Sequence, residues 1–210
     1  MDTKSKILNA AESLFAEKGF TGTSLREITS IAEVNLAAVN YHFGSKKELI
    51  KALMKRYLDQ FSPLLETSLT KVIEQDKQPT LEQVFTAFVD PLLELNQFRE
   101  NGTANFLKLL GRSYTDSQGF LRWFITSNYP SILDNFTLAV HKAYPELTSE
   151  EMFWRLHFTL STAVFTMSSS QALIDIAKND FNTDTDVAGV IYRIIPYVAY
   201  GVGAPITAAK

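Results

Sequence analysis

Eight side chains between residues 35 and 46 are of types that can contact the base edges and the phosphates of DNA. They are Asn35, Leu36, Ala37, Ala38, Asn40, Tyr41, His42 and Lys46. Asparagine amides can pair with adenine edges or with phosphates, Leu36 or Ala37 can meet a thymine methyl, and the small alanines allow close approach. Tyr41, His42 and Lys46 can hold phosphates, which position a protein on the duplex. These residue types predict sequence-specific contact with DNA.

Two short helices are predicted to present these side chains. Ser24 and Glu27 have the S-x-x-E spacing of a capping box, which predicts the start of the first helix. Apolar residues recur along that helix at three-residue spacing, namely Leu25, Ile28 and Ile31. Residues 33–35 predict a turn and residues 36–41 the second helix, which can enter the major groove. Thr23 and Ser24, just before the first helix, are also predicted DNA contacts, with Thr23 on a phosphate.

A further helix is predicted on each side of this pair. Residues 3–18 place apolar side chains on one face with a period of 3.6, namely Ile7, Leu8, Ala11, Leu14 and Phe15. Gly19 ends that helix in a left-handed position, and Val39 anchors the reading helix to the resulting core. Ser45 and Glu48 form another capping-box pattern. Residues 1–46 are therefore predicted to be a DNA-binding domain, and residues 47–210 a second helical domain.

Three sequence patterns occur in order along this N-terminal region. They are K-x-x-I-L-x-A-A-x-x-L-F-x-x-x-G-F, T-S-L-R-E-I and V-N-Y-H-F-G-S-K-K-E-L. In this order and spacing the chain closely resembles the TetR family of one-component transcriptional regulators. The resemblance implies a homodimer that binds a double-stranded DNA operator and responds to a hydrophobic small molecule held in its C-terminal domain. It also places Arg26 where it can reach a base or the backbone.

The C-terminal region carries a second resemblance. Residues 109–124 and 151–181 resemble the PsrA-type branch of that family, fatty-acid-responsive repressors of lipid metabolism genes, which implies a long-chain fatty acid or acyl-CoA as effector. An acyl chain gains about 0.8 kcal/mol per buried methylene, so an apolar tunnel would suffice to hold it. The predicted wall is Phe88, Leu107, Leu110, Trp123, Phe124, Phe158 and Phe165, with Arg112 and Arg122 for the head group. Core packing for the apolar residues and surface ion pairs for the arginines are the alternatives.

Charge and composition narrow the function classes. Residues 1–60 contain nine Lys or Arg and seven Asp or Glu, a net +2, whereas residues 61–210 carry −5. The chain has no cysteine, which excludes disulfides and thiolate metal sites. No apolar run approaches the roughly 18 residues of a membrane span, and the N-terminus does not read as a signal peptide, so a cytoplasmic location is expected.

The remaining pattern predicts an all-α protein of about nine helices. The long helices expected after the DNA-binding domain cover residues 45–75, 81–95, 117–144, 148–178 and 186–200, and the last two are expected to form a four-helix dimer interface. No H-E-x-x-H, G-x-S-x-G or P-loop pattern is present, so neither an enzyme nor a cofactor is expected. A repressor is the leading function. An activator, a regulator that binds another hydrophobic molecule and a helical adaptor are the alternatives.

Overall fold

The structure is a computed structural model that describes residues 2–116 and 120–206, including the side chains of residues 2–111 and 123–206. Within these ranges the chain forms helices and no strand, as predicted. The described residues form twelve helices: α1 Thr3–Lys18, α2 Leu25–Ala32, α3 Leu36–Phe43, α4 Lys46–Gln75, α5 Leu81–Thr86, α6 Val89–Phe98, α7 Gly102–Asp116, α8 Phe120–Asn128, α9 Pro130–Ala143, α10 Ser149–Ser168, α11 Ser170–Phe181 and α12 Val187–Val202.

The predicted number of about nine is too low because three expected long helices are each divided. The helix expected over 81–95 is α5 and α6, that over 117–144 includes α8 and α9, and that over 148–178 is α10 and α11. Pro130 occupies the first turn of α9, where its missing N–H costs nothing, so the expected helix over 117–144 is interrupted and α9 begins there. Ser169 ends α10 and precedes α11.

The first of two compact units comprises the described residues of Met1–Gln60 and Asn105–Asn128. In it α1 packs against α2 and α3. Its core includes Ile7, Phe15, Ile28 and Val39, none of which is accessible to solvent. α4 begins in this unit and continues past Gln60 as one helix, and the predicted domain boundary at residue 46 stays a prediction.

The second unit comprises the described residues of Phe61–Ala104 and Tyr129–Lys210. Here α12 contacts α5, α6, α10 and α11 through a buried apolar stripe, namely Val190, Ile191, Ile195, Val198, Ala199 and Val202. Arg155 of α10 is also buried. It donates to Glu151 Oε2 at 2.9 Å, to the carbonyl oxygen of Val202 at the end of α12, and to those of Ala204 and Pro205 just after it. Among the described residues, no helix is both long and apolar enough to cross a membrane.

Candidate nucleic-acid interface

A capping box fixes the start of α2, as predicted. Ser24 Oγ accepts the Glu27 N–H at 3.1 Å, and the Ser24 N–H donates to Glu27 Oε2 at 2.7 Å. Lys18 Nζ approaches the other carboxylate oxygen at 3.0 Å. The Ser24 N–H and the Lys18 ammonium hold the pKa of Glu27 at about 2. The sequence patterns did not indicate Lys18, because its partner lies nine residues away in the next helix.

The predicted turn between α2 and α3 is also present. Glu33 adopts a left-handed conformation with φ 54°, which reverses the chain after α2. Asn35 caps α3, since its Oδ1 accepts the Ala38 N–H at 2.8 Å. Val39 is fully buried, as predicted, and Phe43 is buried one turn later. These two side chains fix which face of α3 is presented to solvent.

The opposite face of α3 carries the side chains predicted to meet DNA. Asn35, Leu36, Ala37, Asn40, Tyr41 and His42 are exposed, while Ala38 is half-buried at the edge of this face. Tyr41 is 86% exposed, and its ring packs edge-on against His42 with centroids 5.1 Å apart. A helix with small, apolar and amide side chains on one free face and a buried anchor on the other has the form of a major-groove reader.

The two asparagines of this face differ in the atoms they can offer to a base. A bidentate contact with adenine uses the side-chain oxygen as acceptor and the side-chain nitrogen as donor. The oxygen of Asn35 already accepts the capping hydrogen bond from Ala38, so a bidentate contact would have to share that atom. The Asn40 side chain is exposed, and its amide has no hydrogen-bond partner among the described residues. Asn40 is therefore the better candidate for bidentate adenine recognition.

Cationic side chains flank the reading helix. Arg26 is exposed on α2. Lys46 begins α4 and is half-buried, with its Nζ 4.3 Å from the centroid of the Phe20 ring. This cation–π contact positions the ammonium at a helix N-terminus, where backbone N–H groups also favour an anion. The predicted phosphate contact of Lys46 is chemically compatible with this placement and stays a prediction.

Thr23 requires a correction. Its side chain is 2% exposed, and its hydroxyl donates to Gly19 O at 2.8 Å and to Leu14 O at 3.2 Å. A hydroxyl directed at these buried carbonyl groups does not reach a phosphate in this conformation. Thr23 instead ties the segment before α2 to the end of α1.

The predicted ligand-binding residues are divided between the two units. Leu107 and Phe124 are buried and Leu110 is half-buried in the first unit, whereas Phe88 belongs to the second. The Phe88 ring lies edge-on to Phe136, 4.9 Å between centroids, within an aromatic cluster that fits the core alternative. The side chains of Arg112 and Arg122 lie outside the described residues.

Three predicted wall residues are mostly solvent-exposed in the single chain, and their contact with a ligand stays a prediction. Trp123 is 63% exposed in the first unit, and Phe158 and Phe165 are 62% and 69% exposed on α10. Two open clefts in the described structure have volumes of about 430 and 340 Å³. Neither cleft is lined by a residue predicted to bind ligand.

Comparison with known proteins gives the family. Residues 7–53 match the model of bacterial regulatory proteins of the tetR family, and residues 86–201 match that of the tetracyclin repressor-like C-terminal domain. The chain is 39% identical over 84 residues to the probable HTH-type transcriptional regulator YttP of Bacillus subtilis, covering 40% of this chain and 41% of that protein. It is 34% identical over 68 residues to IcaR of Staphylococcus aureus, a negative transcriptional regulator of the biofilm operon icaADBC, covering 32% of this chain and 37% of IcaR.

The chain thus matches less than half of the length of each of these two relatives. Its fold is similar over nearly its whole length to the fatty acid degradation regulator FadR from Bacillus halodurans, with a TM-score of 0.56 and 15% identity over 97% of this chain and 96% of FadR. The C-terminal family model alone covers more than half of the chain, and the N-terminal model covers the α2–α3 pair that carries the exposed reading face. The chain therefore belongs to the TetR family of bacterial regulatory proteins, which are DNA-binding regulators and not enzymes.

Proposed function

We propose that this protein is a homodimeric repressor that binds a palindromic operator and leaves it on binding a long-chain fatty acid or acyl-CoA. DNA binding is supported mainly by the exposed face of α3, where Leu36, Ala37 and Asn40 lie opposite the buried Val39. Two such helices in a two-fold dimer would meet half-sites about 34–36 Å apart.

An aromatic seam on α10 supports the dimer. Trp154, Phe158, Ser161, Phe165 and Ser168 are exposed and follow one another at spacings of four and three residues, the repeat that lines up along one helix face in a coiled coil. Exposed apolar side chains in such a row favour a partner helix. On α12, Ile191, Ile195, Val198 and Ala199 are buried within their own unit, so they pack inside the protomer in this conformation.

The exposed side of α12 carries tyrosines instead. Tyr192, Tyr197 and Tyr200 are all more than half exposed, and tyrosine suits an interface because its ring is apolar while its hydroxyl tolerates water. The proposed dimer surface therefore consists of the aromatic seam of α10 and the tyrosine face of α12.

The acyl effector is supported by the fold likeness to FadR and by buried apolar side chains such as Leu107 and Phe124. An alkyl chain needs only apolar walls, because each buried methylene contributes about 0.8 kcal/mol. We propose that α4 carries the signal, since it continues from the unit that contains α3 into the second unit. By linkage, DNA must weaken effector binding by the same factor as the effector weakens DNA binding.

Selection of operator sequences from random duplexes, followed by fluorescence-anisotropy titration against salt, tests DNA binding. Lys46→Ala should weaken binding to all sequences and reduce the slope of log affinity against log salt by about one, because one phosphate contact is lost. Lys142→Ala is the matched control, since Lys142 belongs to the second unit, where its Nζ donates to Ile73 O at 3.1 Å. An unchanged slope for Lys46→Ala would remove its phosphate role, and failure to select any sequence would refute operator binding.

Sedimentation equilibrium tests the dimer. Phe158→Arg places a charge in the middle of the aromatic seam and should convert the protein to a monomer, because an unpaired buried charge opposes association. Phe181→Arg is the control, since Phe181 is 75% exposed on α11 and lies outside the seam. If Phe158→Arg remains as dimeric as wild type, the seam is not the interface.

Native mass spectrometry of freshly purified protein tests the effector. A co-purified long-chain fatty acid, or thermal stabilisation by oleoyl-CoA but not by short acids, supports the proposal. The same oleoyl-CoA should release the selected operator. If it binds without altering operator affinity, the coupling is wrong, and if it does not bind, the effector class is wrong while DNA binding stands.

A further inference from the structure

A buried carboxylate on α1 is held by side chains of two other helices. Glu12 is 2% exposed, and its Oε1 accepts a hydrogen bond from Asn105 Nδ2 of α7 at 3.2 Å. Arg56 of α4 places its Nη1 3.9 Å from Glu12 Oε2 and donates to Asn9 Oδ1 at 2.8 Å. Removing a partner from a buried charge is costly. These four side chains, the Glu12 cluster, therefore constrain α1, α4 and α7 together.

The Glu12 cluster lies where α4 and α7 cross the boundary of the first unit. Arg56 is one turn before the last residue that α4 contributes to this unit, and Asn105 is the first residue contributed by α7. An apolar contact beside the cluster joins the same two helices, because the Tyr57 and Phe106 rings stack with centroids 5.6 Å apart. A displacement of α7 would therefore directly change the hydrogen bond that Asn105 donates to Glu12.

α1 also shares a buried core with the reading helices. Ile7 and Phe15 of α1 and Ile28 of α2 are completely buried in the shared core. The Thr23 hydroxyl adds hydrogen bonds to Leu14 O and Gly19 O. Closely packed cores transmit displacement rather than absorb it, so α1, α2 and α3 should move as one body when α1 is displaced.

We infer that Asn105 is a positioning residue for DNA binding, which acts through Glu12 to hold α1, and with it α3, in one orientation. Without this hydrogen bond the reading helices would sample more orientations. The conformational entropy lost when DNA binding orders them would then reduce the affinity for DNA. The inference rests on the proposed operator binding. It adds a residue of α7 that needs no contact with DNA to affect recognition.

An exchange of the two functional groups tests the inference. Asn105→Asp places a second carboxylate beside Glu12, and Glu12→Gln in the same chain restores one amide and one carboxylate in reversed positions with almost unchanged volume. Asn105→Leu removes the amide without adding charge. It tests the role of the Asn105 hydrogen bond if Asn105→Asp does not fold. Asn128→Leu is the matched control in the same unit, since its amide donates to Phe124 O of its own helix.

Each variant is titrated with the operator selected by the wild type at one salt concentration, and its folding is verified by urea denaturation. Asn105→Asp should bind about tenfold or more weakly, the exchanged pair should recover to within about threefold of wild type, and Asn105→Leu should bind severalfold more weakly. Asn128→Leu should bind like wild type. The salt slope should not change, because no phosphate contact is removed.

Two results would overturn the role of Asn105. One is a folded Asn105→Asp or Asn105→Leu variant with wild-type affinity, and the other is an Asn105→Asp defect that Glu12→Gln does not relieve. Both presuppose a wild type that selects an operator. If the wild type selects none, operator binding itself is wrong, so failure of the proposed function is distinguished from failure of this inference.

Discussion

Replacing Thr23 by valine separates its buried structural role from the phosphate contact predicted from the sequence. Valine keeps the shape of threonine, so no cavity forms and only the hydroxyl is lost. That hydroxyl has one proton directed at two carbonyl oxygens, Gly19 O at 2.8 Å and Leu14 O at 3.2 Å. One proton amounts to one hydrogen bond, and its loss also leaves a buried acceptor unpaired. Together these effects should destabilise the protein by about 1–2 kcal/mol.

Thermal and urea denaturation measure this effect at a fixed protein concentration. A loss of about 1–2 kcal/mol corresponds to a decrease of about 2–8 °C in Tm for a chain of this length. Thr21→Val is the matched control, because Thr21 is exposed two residues earlier, and such surface changes stay within about 0.5 kcal/mol. The salt slope of DNA binding should be unchanged in Thr23→Val. If Thr23→Val is as stable as wild type and its slope of log affinity against log salt is reduced by about one, the structural role is refuted and the predicted phosphate contact is supported.

Two further predictions concern Gly102 and Glu27. Gly102→Ala should destabilise the protein by about 1–3 kcal/mol in urea denaturation, because a Cβ there would lie 2.0 Å from the backbone oxygen of Leu95. Gly201→Ala in α12, where a Cβ meets nothing within 4 Å, should be neutral or stabilising, and equal effects would contradict the steric argument. The pKa of Glu27 is lowered from 4.5 to about 2, so its contribution to stability is complete above pH 4.5 and is lost as pH falls towards 2. Glu27→Gln should therefore lose less stability than wild type between pH 5 and 2, most clearly at low salt, and parallel pH profiles would refute this role.

Short-range sequence patterns predicted the helices α1, α2 and α3 well. The Ser24–Glu27 capping box, the turn over 33–35 and the buried anchor Val39 all depend on neighbours within a few residues. Such short-range chemistry is visible in a sequence because the interacting groups lie close together along it. Gly19 likewise ends α1 with a positive φ of 75°, as predicted.

The parts that escaped prediction depend on long-range packing. Glu12 and Asn105 are 93 residues apart, so no local pattern connects them. α10 is apolar around much of its circumference, so the sequence does not show that Phe158 and Phe165 are among its exposed aromatic residues. The inward direction of the Thr23 hydroxyl depends on the end of α1 rather than on its own neighbours. The break between α5 and α6 is an exception, because Pro91 in the first turn of α6 lacks the N–H that a continuous helix would need at that position.

The buried Arg155 has a consequence for how sequences of this fold can diverge. Its acceptors at and just after the end of α12 are the main-chain oxygens of Val202, Ala204 and Pro205, and every residue type supplies such an oxygen. Val202 O lies at the negative pole of α12 and the other two oxygens follow it, so Arg155 binds acceptors that a side-chain mutation cannot remove. Side chains at these three positions can drift while the bond persists. The side-chain constraint falls on Arg155 and on Glu151, whose carboxylate accepts from it at 2.9 Å, and covariation of Arg155 with the three carbonyl positions would not reveal the contact.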